Sequence, residues 1–156
     1  MKILKITALF LGAIVMTGCM VSAPVATKEQ KRTAIQMKGP SDKATLYAIR
    51  NEKGSFHAHK IVLKIGGAEL TTLGETFSVF TLEPGKGKLK TDFSVMGIGT
   101  DAEITMDLKP GKKYYVHVSK HYRPLIGPRA ELVEISETDA LPLMGKLRMV
   151  AKPITN

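Results

Sequence analysis

A chain of 156 residues with 44% apolar and 24% charged side chains has the make-up of one globular domain, which excludes wholesale disorder and a polytopic membrane protein. Aromatics are sparse at 6% and Trp is absent, so recognition that stacks bases or sugars on exposed rings finds little support. The formal charge of +9 comes from basic residues scattered along the chain, with no RGG, RNP-like or helix-turn-helix pattern, and this argues against nucleic acid as a partner.

Residues 1–18 read as a signal peptide. Lys2 and Lys5 form a positive start, and residues 6–16 are uncharged and mainly apolar. That stretch is too short to span a bilayer, which takes about 20 apolar residues. It ends in Val15-Met16-Thr17-Gly18-Cys19, which resembles the lipobox of bacterial lipoproteins, with Met16 where Leu is commoner. Cys19 is the only cysteine, so no disulfide forms within the chain and a lipidated thiol accounts for its position. A diacylglycerol plus an amide-linked chain, at about 0.8 kcal/mol per buried methylene, anchors stably. The alternatives are an ordinary cleaved signal with an incidental Cys and an uncleaved hydrophobic anchor. Met20, in place of Asp, resembles the pattern that permits sorting to the outer membrane, so the expected location is the periplasmic face of that membrane. Without Lys2 and Lys5 the charge falls to +7, and anionic headgroups or envelope polymers are the expected counter-surfaces.

Residues 19–43 read as the lipidated Cys and a flexible tether, since Ser22, Pro24, Gly39, Pro40 and Ser41 interrupt a stretch without sustained period. Lys28, Lys31, Arg32 and Lys38 either rest on anionic headgroups or are simply solvated.

From residue 44 the period is two. Leu89, Thr91 and Phe93 alternate with Lys88, Lys90 and Asp92; Ile104, Met106 and Leu108 with Glu103, Thr105 and Asp107; Tyr114, Val116 and Val118 with Tyr115, His117 and Ser119. Further strands are expected over 45–50, 59–65, 69–73, 76–82 and 129–135. Gly66-Gly67 suits a tight hairpin. Leu82-Glu83-Pro84-Gly85-Lys86 and Leu108-Lys109-Pro110-Gly111-Lys112 are near-copies of one turn. In each, Pro presets φ near −65° and Gly takes the left-handed position of a type II turn. Residues 137–148 hint at a helix kept short by Pro142 and Gly145. The expected fold is all-β: an antiparallel β-sandwich of seven or eight short strands over 44–150, with a short C-terminal helical tail and residues 151–156 trailing it.

These strand and turn residues resemble the DUF2846-type domain of short bacterial lipoproteins. The likeness runs from Ala44-Thr45-Leu46-Tyr47-Ala48-Ile49-Arg50 through Ile65-Gly66-Gly67 and Thr76-Phe77 to Glu131-Leu132-Val133. Its most specific piece is Pro110-Gly111-Lys112-Lys113-Tyr114-Tyr115-Val116. The resemblance implies a prealbumin-like or immunoglobulin-like sandwich tethered to the envelope, and it carries no catalytic residues.

No nucleophile elbow or phosphate cradle is present, and the acidic pairs Glu131/Glu134 and Asp101/Glu103 sit in charged strand or loop contexts. No enzymatic activity is expected, and no cofactor beyond the covalent lipid on Cys19. His57 and His59, two residues apart, are the one metal-like spacing, with His117 and His121 further on; ordinary surface histidines are the alternative. Residues 120–129 join two strands yet carry Tyr122, Arg123, Leu125 and Ile126, a mixture enriched at interface hot spots, and two prolines restrict them. These four residues either meet an envelope protein or polymer, or fold back to cap the sandwich; the apolar loop 95–99 has the same two options. The expected function is a lipid-anchored, non-enzymatic binding or scaffolding module, with a periplasmic metal-binding protein as the alternative.

Overall fold

Alternating side chains and turn punctuation become β1 (Ala44–Arg50), β2 (Ile61–Ile65), β3 (Ala68–Thr72), β4 (Thr76–Leu82), β5 (Gly85–Asp92), β6 (Glu103–Leu108), β7 (Lys113–Arg123) and β8 (Gly127–Ile135). Among the described residues two helices, α1 (Lys28–Gln36) and α2 (Glu137–Lys146), and a two-residue strand β9 (Arg148–Met149) accompany these strands. The computed structural model describes residues 24–53, 59–93 and 99–151. The signal segment, Cys19, His57, residues 95–98 of the apolar loop and the tail beyond residue 151 lie outside them.

One sheet has the order β8-β7-β1-β4-β9 and the other β3-β2-β5-β6. Between them Leu46, Phe80, Val116, Val118 and Leu132 pack with Ile61, Leu63, Leu89 and Met106 in one apolar core. The outward face of the four-stranded sheet is solvated and carries the ion pairs of Lys64 with Asp92 and of Lys88 and Lys90 with Glu103. Such exposed pairs contribute little to stability, roughly 0–1 kcal/mol each.

The five-stranded sheet has a second apolar face, where Tyr47, Ile49, Phe77 and Tyr115 meet Ala140, Met144 and Leu147 beneath the helices. Tyr47 and Tyr115 stack at 4.9 Å between ring centroids. The molecule is thus a sandwich with a helical third layer, and β1 is buried along all seven residues because both of its faces are covered. Two ladders depart from the antiparallel expectation: β1 runs parallel to β7, and β4 to β9. The chain leaves β1 for β2 and β3 in the other sheet, returns antiparallel to β1 as β4, visits the other sheet again as β5 and β6, and only then comes back beside β1 in the same direction as β7.

The turns differ in kind. Gly66 and Gly67, at φ +54° and +82°, close the β2–β3 hairpin as a primed turn. The two Pro-Gly segments each carry the chain from one sheet to the other. At Pro110-Gly111 the glycine has φ +70° and the Lys112 N–H donates to the Lys109 carbonyl at 3.2 Å, as a type II turn requires. At Pro84-Gly85 the glycine lies at φ +140° and already belongs to β5, so this near-copy is a corner and not a type II turn.

The largest difference concerns residues 24–43, which are not a free tether. Thr27 and Gln30 form a capping box that starts α1: the Gln30 N–H donates to Thr27 Oγ1 at 3.2 Å and the Thr27 N–H to Gln30 Oε1 at 2.8 Å. Val25 bridges Val150 at the β9 edge. Lys31 Nζ donates to the carbonyls of Gly145 and Leu147 at 2.7 and 2.6 Å, capping α2, while the Tyr47 hydroxyl donates to the Ala34 carbonyl at 2.8 Å. Polar capping holds a helix whose only apolar residues are Ala34 and Ile35, so no hydrophobic period announces it.

Candidate functional site

β7 is the longest strand, at eleven residues, and its pairing with β8 continues to Arg123 opposite Gly127. From His121 to Ile126 the hairpin stands in solvent, beyond the end of the core. Its turn is Arg123-Pro124-Leu125-Ile126: the Ile126 N–H donates to the Arg123 carbonyl at 3.2 Å, and Leu125 takes φ +72°. Glycine is the usual occupant of that position, and a leucine there costs roughly 1–2 kcal/mol. Among the described residues nothing repays the cost by packing, since Leu125 is 105% exposed, Ile126 64% and Tyr122 69%. All four sequence candidates therefore sit on one tip, and none folds back to cap the sandwich. Arg129 stands exposed beside them.

The base of the tip is rigid and charged. Arg50, at the end of β1, is fully buried. Its Nε and Nη2 donate to Glu52 Oε2 at 2.9 and 2.7 Å, and its Nη1 to the carbonyls of His59 at 2.6 Å and Thr72 at 3.4 Å, so one guanidinium ties the two sheets together. The other Glu52 oxygen accepts the Lys120 N–H. Lys120 Nζ lies 5.6 Å from the Phe93 ring centroid, and burial, with Arg50 adding to it, lowers its pKa. Above this network is a cleft of about 180 Å³ lined by Glu52, Lys53, Lys120, Tyr122 and Pro128. Sequence reading missed Arg50; the available signal was an arginine ending an unbroken buried strand, with an acid two residues on.

On the outward face of the hairpin, Ser119, His121 and Glu131 meet. Ser119 Oγ at 3.3 Å and Glu131 Oε2 at 2.8 Å both contact the same ring nitrogen, Nε2 of His121. A relay needs base and orienting acid on opposite nitrogens, so the trio is not arranged as a catalytic triad. His117 Nε2 pairs with Asn51 Oδ1 at 2.9 Å, and burial holds the His117 pKa below its ordinary value. His117 and His121 are four residues apart on one strand, roughly 13 Å, too far to share an ion. His59 is exposed ahead of β2. Among the described residues no three His, Cys, Asp or Glu side chains gather to hold a metal ion. Of the acidic pairs, Asp101 is structural, accepting the Phe93 N–H at 2.8 Å and the Thr91 hydroxyl at 3.2 Å, while Glu131 and Glu134 lie on opposite faces of β8.

In comparisons with known proteins, no family model and no curated protein matches this chain.

Proposed function

We propose that this chain is a lipid-anchored module of the bacterial envelope, of the DUF2846 type, held on the periplasmic face of the outer membrane through Cys19. It binds another envelope protein through the β7–β8 tip. The observation that carries the reading is Leu125, an exposed leucine kept in a left-handed conformation at a hairpin turn, because strain without packing is characteristic of a residue retained for contact. Tyr122 and Ile126 enlarge the apolar surface, and Arg123 and Arg129 ring it with positive charge, so the complementary surface is an apolar depression with an acidic rim. Pro124 and the paired strands preorganise the contact and lower its ordering cost.

Leu125→Gly separates the roles of the residue. Glycine relieves the backbone, so the melting temperature holds or rises by a few degrees, while the apolar contact is lost. In native electrophoresis of gently solubilised membranes the parent migrates as a complex and Leu125→Gly as the free chain. Unchanged migration of the variant would remove the tip from the reading. The anchor is tested separately: Cys19→Ser abolishes incorporation of labelled palmitate, and continued labelling would contradict it.

A further inference from the structure

Lys53, Lys146 and Arg148 converge on a second cleft, of about 490 Å³, between the end of α2 and the start of β4, with Leu143 and Leu147 forming an apolar wall. Among the described residues no carboxylate lies within ion-pair distance of these three cations, although Glu75 also lines the cleft. The cleft is therefore a cationic recess with an apolar side, the chemistry of a phosphate joined to hydrocarbon.

Its location selects the source of that ligand. Arg148 opens the edge strand β9, and two residues on Val150 bridges Val25. Cys19 is five residues before Pro24, a reach of at most roughly 17 Å, so a lipid on Cys19 brings this edge to the bilayer. Lys28 and Arg32, exposed on α1, begin from the same edge and extend the positive surface. The edge formed by β8 is four strand spacings away, roughly 19 Å.

We propose that this cleft seats the phosphate of an anionic phospholipid headgroup, with Leu143 and Leu147 against the glycerol and upper acyl carbons. The β9 edge then lies on the membrane, and the β7–β8 tip stands across the sheet from it at the same end of the strands, with Lys53 lining the clefts at both. The choice of a lipid as the source of the phosphate, like the orientation, rests on the lipid-anchor reading; the cationic recess itself does not.

The test uses the full chain reconstituted into nanodiscs of phosphatidylcholine, with or without phosphatidylglycerol, and followed by amide exchange. Phosphatidylglycerol slows exchange over residues 143–150 and leaves the tip, 122–127, unchanged. Each cation contributes roughly fivefold to binding, so the Gln triple variant at Lys53, Lys146 and Arg148 loses the effect. A control triple, Lys86, Lys109 and Lys112 to Gln, removes the same charge elsewhere and keeps it. Equal exchange in both lipids, or equal loss in the control, overturns the site. The same protection from inorganic phosphate alone also overturns it, by showing a free-anion site. A chain whose mass shows no lipid on Cys19 is titrated with dihexanoyl-phosphatidylglycerol: protection over 143–150 sustains the headgroup site while the anchor reading fails, and its absence overturns the site.

Discussion

Leu125, Arg50 and His117 each hold a state that costs free energy. Arg50 loses its hydration completely and recovers it through Glu52 and the carbonyls of His59 and Thr72. Arg50→Ala leaves a half-buried carboxylate and two carbonyls without their donor, a loss of about 3–5 kcal/mol that lowers the melting temperature by roughly 10 °C. Thermal unfolding followed by circular dichroism checks this, and a change of a degree or two would mean that the guanidinium is not the tie between the sheets. His117 is held toward its neutral form, chiefly by burial with His121 adding to it, against the opposing pull of Glu52 and Glu131. Between its depressed value and the unfolded value near 6.5, the unfolded chain binds a proton that the folded chain does not, so stability rises with pH across that window. His117→Gln flattens this rise, as melts between about pH 5 and pH 7 would show. Leu125 was legible in sequence, because an apolar residue between prolines in a turn is conspicuous, whereas His117 stood out only as a metal candidate and Arg50 not at all. The environments of Arg50 and His117 are made by chain segments far away in sequence.

The strands were legible as elements, since each alternates or runs apolar between glycines and prolines. Their pairing was not: parallel contact of β1 with β7 depends on the path of everything between them. A hint lay in β1 itself, where Tyr47 and Ile49 occupy the phase that a solvated face would fill with polar residues, and this is where the helical layer sits. α1 escaped notice because capping and one lysine, rather than an apolar stripe, hold it. Lys31→Ala frees the Gly145 and Leu147 carbonyls at about 1.5–3 kcal/mol and speeds amide exchange over residues 28–36. Exchange as fast as in an unfolded peptide in the parent chain would return this stretch to a tether. The corner between β6 and β7 makes a complementary prediction. A Cβ on Gly111 would meet nothing nearer than the Ser41 carbonyl at 3.7 Å, so Gly111→Val acts through the backbone alone. It costs about 2 kcal/mol, roughly 5 °C in melting temperature, while Lys112→Ala, exposed beside it, leaves the melt within a degree or two.

At the scale of the whole molecule, one edge of the five-stranded sheet gathers the chain leading to Cys19, the basic start of α1 and the recess formed by Lys53, Lys146 and Arg148. The opposite edge raises an apolar tip ringed by arginines. The tip could be anticipated because its residues are contiguous in sequence; the recess could not, because it joins residues almost a hundred positions apart. The two edges carry the proposal that the module meets a membrane at β9 and a protein at the β7–β8 tip, four strands apart and at one end of the sheet. Site-specific photo-crosslinking in intact cells tests it most directly, with the crosslinker in place of Leu125 and, as a control, in place of Thr105 on the solvated face of the other sheet. A discrete protein adduct is expected from position 125, lost when Arg123 is replaced by Glu, and none from position 105. No adduct from position 125, or the same adducts from both positions, would contradict it.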